Sequence, residues 1–272
     1  MLLGLLALFV AAYVAIVLLV YFGQSRLVYF PLQSFNQTPA GFGLDYTSVS
    51  IATSDGETLH GWWVPVGDAK GTVLFFHGNA GNISHRLDYL PMFKRLGYNT
   101  LLLDYRGYGQ SSGTPTESGT YLDAQAAWRY VTEVQGITPE QIVLYGESLG
   151  GAVAAWLATR EKPGLLILAS TFTSVSDLAG ELYPFLPVRW ITRFHYATLE
   201  LLRSVTCPVF IAHSQQDEII PFDHGQRLYQ TASEPKQFLM LEGGHNSGFI
   251  FMRPEWIKTL GEFMDAHNAA AQ

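Results

Sequence analysis

The chain opens on MLLGLLALFVAAYVAIVLLVYF, with no charged side chain through residue 22. Beyond it the pattern changes to short apolar runs separated by helical spacing. TVLFFH (72–77) and NTLLLDY (99–105) are continuously apolar, as in strands covered on both faces. QIVLYG (141–146), LLILAS (165–170), PVFIAH (208–213) and QFLMLEG (237–243) repeat that pattern. YTSVSIAT (46–53) and LHGWWVPV (59–66) flank the turn Ser54-Asp55-Gly56 and read as an antiparallel hairpin. Helical spacing falls between the strands: in ISHRLDYLPMFKRLG, apart from Pro91, and over 119–135, 149–160, 224–232 and 254–267. This alternation predicts an α/β fold, a mostly parallel twisted sheet with helices on both faces.

Residues 171–204 interrupt the alternation. They hold Phe172, Leu182, Tyr183, Phe185, Trp190, Phe194 and Tyr196, and read as a short cap insertion over the sheet's edge. Residues 23–44, with turn residues in PLQSFNQTPAGFG, read as a linker, and 45–268 as the globular domain. As a helix, Leu2 to Phe22 is about 30 Å long, the thickness of a bilayer's hydrocarbon core. No Lys or Arg precedes it, it is long for a signal peptide's apolar region, and VYFGQS lacks a small-x-small cleavage site. Residues 1–22 are therefore expected to stay as a single transmembrane anchor. Tyr21, Phe22, Tyr29 and Phe30 suit the membrane interface, and Arg26, after the span, leans the C-terminal domain to the cytoplasmic side.

The 272 residues are 48% hydrophobic and 14% charged, enough for a large core. The net charge of −7 has no acidic or basic runs and argues against nucleic acid as a partner. Cys207 is the only cysteine, so neither an intrachain disulfide nor a cysteine-based metal site is expected. There is no internal repeat, and no low-complexity tract beyond the tail AAAQ.

Two serines match G-x-S-x-G: Ser111 in Gly109-Gln-Ser-Ser-Gly113 and Ser148 in Gly146-Glu-Ser-Leu-Gly150. A nucleophile elbow needs a strand before the serine and a helix straight after it. Ser148 has both, QIVLY before and LGGAVAAWLAT after. Ser111 is followed by GTPTESG, where Pro115 and Gly119 break any immediate helix, and reads as a turn residue.

A serine hydroxyl is a weak nucleophile unless a histidine takes its proton and an acid orients that histidine. In this type of fold the chain order is Ser, acid, His. Of the later histidines, 195 falls in the cap, 213 at a strand end, and 224 and 267 on helices. His245 sits in the Gly-rich loop EGGHNSGF directly after a strand. The acid should follow the strand PVFIAH, where SQQDEIIPF offers Asp217, Glu218 and Asp223; Asp217 comes first, and Glu218 is the fallback. The oxyanion needs fixed donors. The backbone N–H of Leu149 and that of Asn79, in the loop His77-Gly78-Asn79-Ala80-Gly81-Asn82, are the candidates. His77 precedes the nucleophile, the wrong order for the base, and reads as a loop former.

With these pieces the chain resembles the α/β-hydrolase superfamily over roughly residues 45–268. FFHGNAGNISHRL, LLLDYRGYGQSSG, LYGESLGGAVA, HSQQDEIIP and GGHN are similar to the membrane-anchored group typified by α/β-hydrolase domain-containing protein 13, often classed with prolyl-oligopeptidase-like serine peptidases. The resemblance implies Ser148 as nucleophile, Asp217 as acid and His245 as base. Acyl transfer by these residues needs no metal or organic cofactor, and Asp/His clusters with ligand spacing are absent from the sequence. The expected partners are a small-molecule or acylated substrate and, through residues 1–22, a membrane. Ester or thioester hydrolysis is the first reading, peptidase activity the second, and a noncatalytic binding protein on a hydrolase fold the third.

Overall fold

The computed structural model describes residues 2–267; Met1, the expected domain end at 268 and the AAAQ tail lie outside the described residues. Helix α1 (Leu2–Val28) is longer than the charge-free stretch, about 40 Å, because Gly23-Gln-Ser-Arg continues the helix without a breaker. The segment read as a linker is consequently ordered against the domain. Strand β1 (Phe30–Pro31) pairs in parallel with β5 (Ala80–Gly81), and Pro39–Phe42 forms a 3₁₀ turn.

The main sheet contains β2 (Thr47–Ala52), β3 (Thr58–Val64), β4 (Gly71–Phe76), β6 (Tyr98–Leu103), β7 (Ile142–Glu147), β8 (Leu165–Ala169), β9 (Val209–Ser214) and β10 (Lys236–Leu241). Its order is β10-β9-β8-β7-β4-β6-β3-β2, with antiparallel pairs only where β3 meets β2 and β6. Along β4, Leu74 and Phe76 join the core under α3 (Glu117–Arg129) and α4 (Leu149–Ala158). Val73 and Phe75 join the opposite core, under α2 (Tyr89–Leu96) and α9 (Pro254–His267). A strand with alternate side chains in two cores is apolar along the stretch they cover, here Val73 to Phe76.

Several helix bounds differ from the sequence pattern by a residue or more, and two of the starts have a local cause. The helix expected from Ile83 starts at Tyr89 after a 3₁₀ turn, with Pro91 in its first turn, where a missing N–H costs no intrahelical bond. The helix expected from residue 119 starts at Glu117, because Thr116 Oγ1 accepts the Gly119 N–H at 3.0 Å, and it ends in a π turn, Tyr130–Val134. Gly119 is thus inside a capped first turn and not a breaker.

Between β8 and β9 the chain forms α5 (Val175–Leu182), α6 (Val188–Ile191) and α7 (Thr198–Leu202). Since β8 is interior, this insertion rises from the carboxyl ends of the strands and not from a lateral edge of the sheet. Its base is pinned: the Glu117 carboxylate accepts the N–H groups of His195 and Tyr196, and the Tyr196 hydroxyl bonds those of Tyr29 and Thr120. Helix α8 (Phe222–Thr231) lies between β9 and β10.

Candidate active site

Strand β7 runs directly into Ser148, and α4 begins at the next residue. Ser148 has φ 53° and ψ −118°, a conformation that costs a non-glycine residue about 1–3 kcal/mol. Its neighbours enforce it. A side chain on Gly146 would collide with the Gly150 carbonyl, and one on Gly150 with the carbonyl of Phe76. The Ser148 N–H donates to Ala169 C=O at 2.9 Å, and its own carbonyl accepts from Thr171 Oγ1 at 2.6 Å. The turn is held on both sides with the hydroxyl above the sheet.

The structure brings Ser148, His245 and Asp217 into one line. His245 Nε2 is 3.2 Å from Ser148 Oγ, and its Nδ1 is 2.7 Å from Asp217 Oδ2. The other Asp217 oxygen accepts the N–H groups of Ile219 and Ile220 at 3.0 and 2.8 Å. Burial pushes the Asp217 carboxyl up, but the His245 hydrogen bond and charge and the Ile220 N–H outweigh it, so it lies below the usual carboxylate range. Glu218 serves the loop and not the imidazole, since its carboxylate accepts the His245 backbone N–H at 3.0 Å. Asp223 is exposed, beside Arg227. The loop carrying His245 turns at Gly243, φ 103°, whose carbonyl accepts from the Ser214 hydroxyl at the end of β9.

Asn79 and Leu149 border the same cavity as Ser148 and His245. The first N–H groups of a helix have no intrahelical acceptor, and Leu149 supplies the first of α4. The Asn79 loop is clamped. Its carbonyl accepts from the Phe30 N–H and the Tyr108 hydroxyl, and its side-chain amide donates to Val28 C=O. Gly78 lies so close that a side-chain carbon there would stand 3.4 Å from the Ser148 Cβ. His77 is fully buried; Nδ1 bonds the Gly78 carbonyl at 2.6 Å, and burial, then the Arg86 charge, push its pKa down to about 3. It is a neutral loop former.

The remaining sequence candidates do not join that line, although His213 Nε2 stands 3.5 Å from Asp217 Oδ2. Ser111 Oγ donates to Asp104 C=O at 2.8 Å and accepts the His60 N–H at 2.9 Å, which satisfies a buried turn. His213 Nε2 donates to Ile220 C=O, and His224 Nδ1 accepts the Thr173 N–H. Among the described residues no cluster of His, Cys, Asp and Glu is arranged to hold a metal ion.

Two features were not legible in the sequence pattern. Arg86 Nε lies 2.8 Å from Glu147 Oε1, one residue before the serine, so an ion pair borders the site. The second is the cavity wall. The cavity, about 530 Å³, is lined by α5 and α6 of the cap and also by Val20, Gln24, Leu27 and Val28 of α1. Positions 20, 24, 27 and 28 share one helix face, a periodicity hidden inside a stretch that is apolar all round.

Residues 71–185 match the family described as alpha/beta hydrolase fold. An alpha/beta hydrolase domain-containing protein of Arabidopsis thaliana, WAV2, is 38% identical over 241 residues, which cover 80% of this chain and 78% of that one. The chain belongs to the α/β-hydrolase superfamily. Within it, this hydrolase-fold protein falls in the group of α/β-hydrolase domain-containing protein 13. An uncharacterized Mycobacterium tuberculosis protein is 37% identical, covering 85% of this chain and 83% of its own. The solved structure of a Pyrococcus furiosus esterase superimposes with a TM-score of 0.74 at 21% identity, covering 89% of this chain and 98% of the esterase, a likeness of fold.

Proposed function

We propose that the protein is a membrane-anchored serine hydrolase that cleaves carboxylic esters or thioesters with an apolar acyl group. The observation that carries this reading is the hydrogen-bonded line Asp217–His245–Ser148 opening into a mostly apolar cavity. His245 takes the Ser148 proton as Oγ attacks the carbonyl carbon. Asp217, anionic, holds the His245 Nδ1–H so that Nε2 faces the serine. The N–H groups of Leu149 and Asn79 receive the oxyanion. Protonated His245 hands its proton to the leaving oxygen or sulfur, then activates the water that hydrolyses the acyl-enzyme.

The family and the name of the Pyrococcus furiosus esterase support ester chemistry. The apolar lining from α5 and α6 favours an acyl chain over a polar substituent. Retention of the first helix as an anchor, over loss as a signal sequence, is supported by its contacts: Tyr13 bonds the cap and Val20 forms cavity wall. In detergent, full-length Ser148→Ala should hydrolyse p-nitrophenyl butyrate at least about a thousandfold more slowly than wild type while keeping its circular dichroism. Near-normal turnover by that variant would remove the serine from the mechanism.

A further inference from the structure

We propose that the acyl chain reaches Ser148 from within the bilayer, between α1 and the cap, so that the anchor helix is a wall of the substrate site. This rests on the serine-hydrolase reading above. Val20 and Leu27 of the anchor face Leu178, Leu182 and Ile191 of the cap across the cavity that ends at Ser148. A tether needed only for localisation has no reason to border the reacting atoms.

The cap is fastened along the anchor at two levels. The Tyr13 hydroxyl donates to Phe185 C=O at 3.0 Å. Eleven residues later, the buried Gln24 amide donates to Ile191 C=O at 2.7 Å and accepts the Arg193 N–H at 2.8 Å. That separation is about 16 Å of helix, half the thickness of a bilayer's hydrocarbon. A bilayer that surrounds α1 therefore also meets the cap segment beside it.

The surface of that segment suits such a position. Trp190 is 91% exposed and Phe185 67%, with Leu182 and Tyr183 also exposed. The N–H groups of Tyr183, Leu186, Val188, Trp190 and Thr192 all find carbonyls within the cap, the satisfaction that backbone out of water requires. Arg189, exposed between these residues, has the length to reach headgroups. The occupant of the gap between helix and cap is thus the chain of a bilayer-dissolved acyl ester.

The test uses the full-length protein in phosphatidylcholine nanodiscs. Of the six tryptophans only Trp190 is exposed. Lipids brominated on their acyl chains should quench protein fluorescence, and Trp190→Phe should remove most of that quenching; quenching that is absent, or unchanged in Trp190→Phe, overturns the seating of the cap. Next, Phe185→Glu/Trp190→Glu should lose about tenfold or more of its rate on 4-methylumbelliferyl oleate in the disc while keeping its rate on p-nitrophenyl acetate from water. Leu27→Trp should shift the oleate-to-acetate rate ratio down by about tenfold or more. Equal effects on both esters, or none, overturn bilayer entry. Wild type that cleaves neither ester and is not labelled by a fluorophosphonate fails at the level of the hydrolase reading itself.

Discussion

Asp217 has little freedom to be anything but an anionic acceptor. One oxygen takes two backbone N–H groups and the other takes His245. Asp217→Asn keeps an oxygen for Ile219 and Ile220 but turns an amide donor towards His245 Nδ1, which favours the wrong tautomer. The variant should fold normally and lose about 10⁴ in kcat on a soluble ester; a loss below tenfold would mean that His245 does not need this acid. Sequence order and loop context pointed to Ser148, His245 and Asp217, with Glu218 as the fallback acid, and the structure places the first three in one hydrogen-bonded line. Asp217 was preferred over Glu218 only for coming first after the strand, since adjacent carboxylates in one turn differ in where the backbone points them. One faces the imidazole and the other holds that histidine's own backbone N–H.

Among the elements, strands were the most legible, because burial on two faces leaves a continuous apolar run. The stretch 23–44 was the least legible. Its turn residues signalled a linker, yet Gln24, Tyr29 and Phe30 are tied to the cap and to the Asn79 loop by pairings distant in sequence. Gln24 joins α1 and the cap most directly. Gln24→Leu removes a partner from both Ile191 C=O and the Arg193 N–H, which costs about 1–3 kcal/mol per buried group left unpaired. The expected result is faster limited proteolysis across 183–193 than in wild type, in detergent. An unchanged cleavage rate would show that the cap does not depend on α1.

For the whole molecule, one buried carboxyl links stability to pH. Asp104 lies under the hairpin and the His77 loop, and burial raises its pKa to about 8, opposed by the Ile83 N–H bond. The unfolded chain releases this proton at about 3.9, so the contribution is fully present below that pH and is lost as pH rises to about 8. Asp104→Asn keeps an acceptor for Ile83 and cannot titrate. Its Tm should fall less than that of wild type between pH 5 and pH 8, and an identical fall would exclude Asp104 as the source. Whether the intact protein activates Ser148, on which the proposed chemistry depends, is decided by fluorophosphonate labelling in detergent with mass-spectrometric location of the adduct. The adduct should sit on Ser148, vanish in Ser148→Ala and persist in Ser111→Ala. An adduct on Ser111, or none on folded wild type, would refute Ser148 as the activated nucleophile.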